Sequence, residues 1–83
     1  MKKNGRVRLF IKPYCHWCRE AMDWLDARGV EYETIDVVAD ERGYEEMVRL
    51  SGQSMAPVIE VHSKVLADFG ARELARFWET LSA

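Results

Sequence analysis

The chain of 83 residues is short enough to form a single domain, which we expect to span residues 1–83. Its 12 Lys and Arg residues are outnumbered by 14 Asp and Glu residues, so the net charge is −2. This balance gives no electrostatic basis for binding nucleic acid or a membrane surface, and we expect neither as a partner. The hydrophobic content of 48% is ordinary for a globular protein.

The start of the chain lacks the pattern of a secretion signal. Two lysines follow Met1, but the apolar run Val7–Ile11 is short and Arg8 interrupts it. No segment approaches the length of a membrane span. We therefore expect a cytoplasmic protein, and structural disulfides are rare in that compartment.

The first half of the chain predicts a strand, a helix and a second strand. Val7–Ile11 is short and mostly apolar, as in a buried strand. Apolar residues then follow at i, i+3, i+4 and i+7, which is one face of a helix. They are Cys18, Ala21, Met22 and Leu25. Arg28-Gly29 is a typical helix end, and β-forming residues predict the second strand at Val30–Val37.

The second half predicts a helix, two strands and a last helix. Asp40 is a suitable N-cap and Gly52 a suitable end for the second helix. Its inward face comprises Tyr44, Met47 and Val48. Val58–Val61 and Val65–Leu66 predict short strands joined at His62-Ser63, where we expect a solvated imidazole. The last helix has an apolar face that we assign to the core, and that includes Leu74, Phe77, Trp78 and Leu81.

These elements give the order β-α-β-α-β-β-α and an α/β fold class. The first two strands and the helix between them should form a right-handed parallel crossover. The last two strands should form an antiparallel hairpin, and the three helices can cover both faces of one four-stranded mixed sheet.

The two cysteines, Cys15 and Cys18, are the chemically distinctive feature of the sequence. As a structural bridge they would close only a very short loop and add little stability. Cys15 falls where the first strand meets the first helix, and unpaired N–H groups and the helix dipole favour a thiolate there. Lys12, His16 and Arg19 can add positive potential. Cys18 lies one turn further along, on the core face, and should be more sheltered and less acidic.

One exposed and one sheltered thiol are what reversible disulfide exchange requires, but two alternatives stay open. Zinc sites use the same Cys-x-x-Cys spacing. A closed zinc site needs about four ligands, however, and only His16 and His62 remain as candidates, the former inside the dithiol loop. The second alternative is a pair of inert buried cysteines. The strand–dithiol–helix placement favours redox chemistry over both.

Along nearly its whole length the sequence resembles the glutaredoxins. Lys12 matches the lysine of the family's Lys-x-x-Cys-x-x-Cys site, and residues 52–57 resemble its Gly-Gln-x-Thr-Val-Pro segment, with Met55-Ala56 in place of Thr-Val. The resemblance implies a compact thioredoxin-like fold and a cis Ala56–Pro57 bond that faces the dithiol. It also implies that the backbone of Ala56 pairs with a bound substrate cysteine.

The sequence departs from the family at two places that matter for substrates. His16-Trp17 replaces the usual Pro-Tyr between the cysteines. Residues 67–70 stand where the family has Gly-Gly followed by a Ser/Cys/Thr-Asp pair, which holds the γ-glutamyl group of glutathione. Phe69 is expected to intrude there. Asp68 either substitutes in part for the missing pair or caps the last helix.

The resemblance and the spacing together define a set of candidate substrate- or glutathione-binding residues. They are Lys12, Tyr14, Trp17, Gln53, Ala56, Pro57 and Asp68. Of these, Lys12 and Gln53 are candidates to meet a carboxylate of the substrate.

Three residues near the dithiol each have two interpretations. Tyr14 either lines the substrate groove or covers the sheet edge. Trp17 either presents an aromatic wall to substrates or packs beside Trp24. His16 is either a pH-sensitive cation beside the Cys15 thiolate or an exposed residue without a role.

The resulting expectation is a dithiol thiol–disulfide oxidoreductase. Cys15 attacks a disulfide of a protein or of glutathione, and Cys18 resolves the mixed disulfide. Glutathione or thioredoxin reductase then restores the dithiol, glutathione being a possible co-substrate. We expect a monomer that needs no organic cofactor or metal. The alternative is a module in which Cys15 of two chains, with added thiols, bridges an iron–sulfur cluster, as in some glutaredoxins without proline after the first cysteine. A redox-dead interaction domain is disfavoured because both cysteines are present.

Overall fold

A computed structural model of the chain describes residues 7–81. Four strands and three helices follow one another in the predicted order β-α-β-α-β-β-α. They are β1 (Val7–Ile11), α1 (His16–Ala27), β2 (Glu33–Asp36), α2 (Glu41–Ser51), β3 (Val58–Val61), β4 (Lys64–Ala67) and α3 (Ala71–Leu81). The first residues, considered above as the start of a signal, lie outside the described part.

The strands form one mixed sheet in the order β2-β1-β3-β4. β1 pairs in parallel with β2, with Leu9 opposite Thr34. β1 pairs antiparallel with β3, with Leu9 opposite Ile59, and β3 pairs antiparallel with β4. The predicted parallel crossover and the predicted hairpin are therefore both confirmed.

The sheet separates two clusters of buried side chains. Leu9 and Phe10 are neighbours on β1, so their side chains point to opposite faces. Leu9 belongs to a cluster that includes residues of α1 and α3, namely Leu9, Ala21, Leu25, Ile59, Val61, Phe69 and Leu74. Phe10 belongs to a cluster on the α2 face, formed by Phe10, Val37, Met47 and Val58. Each face of the central strand is thus covered by helices.

The predicted ends of α2 are confirmed. The Asp40 carboxylate accepts a hydrogen bond from the Gly43 N–H at 3.1 Å, as an N-cap does. Gly52 ends the helix with a left-handed φ of 73°, a conformation that glycine adopts without steric cost.

Two strand boundaries differ from the prediction. β2 begins at Glu33 rather than at Val30, because the Val30 N–H donates to the Leu25 carbonyl at 3.1 Å and so belongs to the turn after α1. β2 also ends one residue early, at Asp36, although the Val37 N–H still donates to Ile11. β4 is longer than predicted because all four of its residues pair with β3.

Some helix faces also differ. Tyr44 was predicted to point inward, but its side chain is exposed, and the buried positions of α2 are Gly43 and Met47. Phe77 and Trp78 pack against the first cluster but are only partly buried, because α3 lies at the margin of the core. Within residues 7–81, no helix has the length and apolar character needed to cross a membrane.

Candidate functional site

Three segments of the chain meet at one end of the sheet. The strand register places Phe10 of β1 opposite Val58 of β3, and Val58 opposite Ala67 of β4. The residues that follow β1, precede β3 and follow β4 therefore emerge side by side. They are residues 12–18, 53–57 and 68–70. This end of the sheet carries both cysteines and all seven candidate binding residues.

Direct contacts join these segments. The Lys12 ammonium donates to the Ser54 carbonyl at 3.0 Å, which links the end of β1 to the loop before β3. The Asp68 N–H donates to the Pro57 carbonyl at 2.9 Å. The Trp17 ring lies so close to Gly70 that a Cβ on Gly70 would be 3.1 Å from Trp17 Cζ3.

Cys15 is the N-cap of α1, as its position between strand and helix predicts. Its backbone is extended, and its Sγ accepts a hydrogen bond from the Cys18 N–H at 3.1 Å. The first amides of a helix have no partner within the helix, so the sulfur occupies a position where donors and the helix dipole stabilise negative charge. Cys15 is partly exposed.

Cys18 is sheltered, also as predicted, with only 1% of its surface exposed. Burial raises the pKa of Cys18 to about 12, and the neighbouring Cys15 acts in the same direction. The backbone N–H and the ammonium of Lys12 oppose this increase in pKa only in part. The Cys18 thiol therefore keeps its proton at neutral pH.

The three cations expected around Cys15 differ in their contacts. Lys12 donates to the Ser54 carbonyl and also acts electrostatically on Cys18. His16 Nε2 lies 3.3 Å from a Glu20 carboxylate oxygen one turn along α1, and its side chain is 73% exposed. The imidazole thus has a carboxylate partner on its own helix. Arg19 is exposed.

Gln53 makes its contacts within its own loop. Its Nε2 donates to Ser51 Oγ at 2.9 Å and to the Met55 carbonyl at 3.0 Å. Its Oε1 accepts from the Met55 N–H at 2.7 Å. The amide that was a candidate for a substrate carboxylate is therefore paired with the Met55 backbone.

The Ala56–Pro57 peptide bond is cis, as the resemblance implies. Pro57 is fully buried, and Ala56 is half-buried. Neither the N–H nor the carbonyl of Ala56 is hydrogen-bonded to any residue in the described range 7–81. A partly exposed peptide group without an internal partner can pair with water or with another backbone.

The segment after β4 corrects two predictions. Asp68 does not cap α3. Glu73 does so instead, since its carboxylate accepts from the Gly70 N–H at 3.0 Å. Hydrogen bonds from its own N–H and from that of Gly70 keep the pKa of Glu73 below the ordinary value. Phe69 does not intrude into the site, because its side chain is buried in the Leu9 cluster. Asp68 is exposed, with a left-handed φ of 54°.

The two aromatic residues beside the cysteines are exposed. Tyr14 is fully exposed with a left-handed φ of 62°, so it does not cover the sheet edge. Trp17 is 54% exposed and lies edge-on to His16 and against Gly70. It does not pack beside Trp24, which is in contact with Trp78 instead.

Sequence reasoning missed three residues of this site. Glu73 had a visible signal, because a Glu at the third helical position is the acidic half of a capping box. Ser51 and Ser54 had none, since their roles depend on how the loop folds back. Across residues 7–81, no three His, Cys, Asp or Glu side chains converge closely enough to hold a metal ion.

The mixed four-stranded sheet and a Cys-x-x-Cys pair at the start of the first helix define a protein of thioredoxin-like fold. Residues 7–66 match the family model for glutaredoxin. The chain belongs to the glutaredoxin family. This membership supports a thiol–disulfide redox role for the chain.

Similar proteins agree with this assignment. A glutaredoxin-like 8.6 kDa protein of the Clostridium pasteurianum rubredoxin operon, itself uncharacterized, is 27% identical over 73 residues, which are 88% of this chain and 97% of that protein. The glutaredoxin of Archaeoglobus fulgidus has a TM-score of 0.75 at 21% identity and covers 87% of this chain and 84% of its own. The glutaredoxin-like NrdH-redoxin of Escherichia coli has a TM-score of 0.72 at 21% identity, and the match covers 86% of this chain and 92% of that chain. At these identities the two solved structures establish the fold.

Proposed function

We propose that this chain is a dithiol thiol–disulfide oxidoreductase in which Cys15 attacks and Cys18 resolves. The observation that supports this most directly is the contrast between the thiols. Cys15 is partly exposed at the start of α1, whereas Cys18 is buried and its pKa is raised to about 12. Only the first can meet a substrate disulfide, and the second retains a proton that the reaction later uses.

The exchange takes place in two steps. The Cys15 thiolate attacks one sulfur of the substrate disulfide, the substrate S–S bond breaks, and a mixed disulfide forms as one substrate thiolate leaves. Cys18 then gives up its proton and attacks the Cys15 sulfur. The second substrate sulfur leaves as a thiolate and takes up a proton. The substrate gains two electrons, and Cys15 and Cys18 become a disulfide.

We further propose that protein disulfides are the main substrates. Five large hydrophobic side chains are exposed within residues 7–81, and three of them, Tyr14, Trp17 and Met55, lie at the end of the sheet with the dithiol. An apolar rim of this kind favours apolar side chains that flank a disulfide in a partner protein. The unpaired peptide group of Ala56 can bind an extended backbone. Glutathione disulfide has less surface that can contact this rim than a partner protein has.

The oxidised dithiol needs an external reductant, and we propose glutathione or thioredoxin reductase for this step. The NrdH-redoxin of Escherichia coli is described as having a thioredoxin-like activity profile, which makes a reductase a reasonable candidate for this chain also. A monomer acting in the cytoplasm, where protein thiols are kept reduced, is part of the same proposal.

The test is a comparison of Cys15→Ser and Cys18→Ser in the reduction of a protein disulfide, with each reductant supplied separately. Cys15→Ser should abolish turnover with both reductants. Cys18→Ser should accumulate a mixed disulfide that is visible by intact-mass spectrometry. Mildly acidic alkylation should label Cys15 first. Preferential labelling of Cys18, or turnover by Cys15→Ser, would show that the assigned roles are wrong.

A further inference from the structure

The loop between α2 and β3 is held by side-chain hydrogen bonds rather than by regular secondary structure. Gln53 makes three of them, to Ser51 Oγ and to both the N–H and the carbonyl of Met55. Ser51 Oγ lies 2.7 Å from the Met47 carbonyl, in the last turn of α2, and 3.1 Å from the Gln53 carbonyl. We name Ser51 and Gln53, with these bonds, the loop brace.

The loop brace occupies both N–H donors and the carbonyl oxygen of the Gln53 side chain. A primary amide has two N–H donors and one carbonyl acceptor. Both donors and the acceptor of Gln53 already have partners at 2.7–3.0 Å. A substrate carboxylate needs a donor, so Gln53 can serve it only after breaking one of these bonds.

The position of the brace in the chain gives it a consequence for the dithiol. It fixes the backbone of Met55, the residue immediately before Ala56. Ala56 is the residue whose N–H and carbonyl have no hydrogen-bond partner in the described part of the chain. The Lys12 ammonium holds the same loop from the other side through the Ser54 carbonyl.

We propose that Gln53 is a positioning residue which, through Ser51, holds the peptide group of Ala56 where a substrate backbone can pair with it, and that it does not bind a substrate carboxylate. This inference rests on the proposed function and adds to it. It predicts that recognition at this loop depends on the substrate backbone, whatever charge the substrate carries.

The kinetic signature follows from this role. A contact made equally in the bound substrate and in the transition state lowers KM and leaves kcat unchanged. Loosening the brace should therefore raise KM by roughly three- to tenfold, which is the range expected for the loss of one or two hydrogen bonds. The increase should be the same for acidic and neutral substrates, and kcat should change by less than about twofold.

The experiment uses two disulfide-linked peptide dimers of identical sequence without Asp or Glu, one with free carboxyl termini and one amidated. KM and kcat are measured for both with the wild-type chain, Gln53→Ala, Ser51→Ala and the double variant. Thr80→Ala is the matched control, because it removes a comparable hydroxyl bond, from Thr80 Oγ1 to the Phe77 carbonyl in α3, at an exposed position outside the site. Thermal unfolding of each variant is measured in parallel.

The proposal predicts equal increases in KM for both peptides in Gln53→Ala and in Ser51→Ala. The double variant should raise KM by less than the product of the two single effects, because the two residues share one bond and each also makes bonds of its own. If Gln53→Ala fails to fold, Gln53→Glu replaces it, since this variant keeps the acceptor for Met55 and loses both donors.

Two results would overturn the proposal. An increase in KM confined to the peptide with free carboxylates, with Ser51→Ala unaffected, would make Gln53 a carboxylate ligand. An unchanged KM in Gln53→Ala for both peptides would remove any role in substrate recognition. Failure of the proposed function would give a different result from these two. The wild-type chain would reduce neither peptide, or Cys15→Ser would still reduce them.

Discussion

The two ends of strand β1 use charged side chains in opposite ways. Near its start, Arg8 pairs with Glu60 at 2.6 Å and with Glu46 at 3.0 Å, and Glu46 also pairs with Arg49 at 2.7 Å. The Arg8 guanidinium lies 5.4 Å from the centre of the Phe10 ring. In this region charges pair with charges and ion pairs tie α2 to the sheet.

At the other end of β1, charged side chains bind backbone groups of loops. Aromatic rings are exposed at this end. Lys12 holds the Ser54 carbonyl and Glu73 holds the Gly70 N–H. Tyr14, beside the cysteines, is fully exposed. The difference indicates that the first region contributes stability and that the second holds loops in place for a partner. Substitutions in each region separate these two contributions.

The largest effect is expected at Phe69, a residue that lies next to the site in sequence but belongs to the core. Replacing Phe69-Gly70 with the family's Thr-Asp should cost stability instead of simply improving glutathione binding. Phe69→Thr removes a buried ring and should lower the free energy of unfolding by about 3–5 kcal/mol. Gly70→Asp must also displace the Trp17 ring. Chemical denaturation measures both, with Phe69→Leu as the control that keeps an apolar side chain and costs under about 1.5 kcal/mol.

The second prediction concerns Tyr14→Ala, which should change the binding of protein substrates and leave the stability of the chain unchanged. Tyr14→Ala should raise KM for a protein disulfide on the order of five- to tenfold, because an exposed aromatic ring is a common interface anchor. A small disulfide without a protein surface should be reduced at an unchanged rate.

Tyr14→Gly separates the ring from the backbone. It loses the same ring as Tyr14→Ala, but glycine adopts the observed φ of 62° without strain. It should therefore be more stable than Tyr14→Ala by about 1 kcal/mol, with the same KM. Equal stability of the two variants would show that the left-handed backbone carries no cost here.

How far the sequence predicts these features depends on how local their causes are. The capping roles of Asp40 and Cys15 depend on residues within one turn. The cap at Asp40 was predicted, and so was the position of Cys15 at the junction of strand and helix. The cap of α3 is equally local, but two acidic residues compete for it, and only the structure shows that Glu73 rather than Asp68 makes the bond. The position of Phe69 depends on how the segment after β4 turns toward the core, which no spacing rule specifies.

The contacts between segments could not be predicted from the sequence. Trp17 lies against Gly70, more than fifty positions away, and Lys12 reaches a backbone carbonyl in a different loop. Such contacts depend on the sheet register, and the partner of Lys12 is a group that every residue possesses. The structure therefore brings the candidate residues together at one end of the sheet, but several of them make contacts that the sequence did not predict.

The third prediction tests the ion-pair region through pH. Hydrogen bonds from Arg49 and Arg8 keep the pKa of Glu46 below its ordinary value. A lowered carboxyl pKa means that the unfolded chain binds more protons, so this stabilisation is present at neutral pH and is lost as the pH falls below about 4.3. Glu46→Gln should lower Tm at pH 7 by roughly 1–4 °C, a small change because surface ion pairs contribute little. The difference should vanish near pH 3, and Glu45→Gln, the adjacent exposed carboxylate, should show no such pattern.

The smallest effect is expected at His16. A cation beside Cys15 would stabilise the thiolate and so the reduced form, which makes the disulfide more oxidising. The imidazole, however, lies 3.3 Å from the Glu20 carboxylate and is largely exposed to solvent, so a positive charge on it would be partly neutralised and screened. His16→Ala should therefore shift the reduction potential by less than about 10 mV, where 30 mV corresponds to about 1.4 kcal/mol.

Glu20→Gln provides the complementary variant, because it keeps His16 and removes the carboxylate that neutralises it. If Glu20 masks the imidazole, Glu20→Gln should make the potential less negative, and the double variant with His16→Ala should return it toward the wild-type value. Equilibration of each variant in glutathione redox buffers, followed by alkylation and mass spectrometry, gives the potentials. A shift of about 30 mV or more in His16→Ala alone would mean that the imidazole acts on Cys15 despite its carboxylate partner, which is the first of the two interpretations of His16.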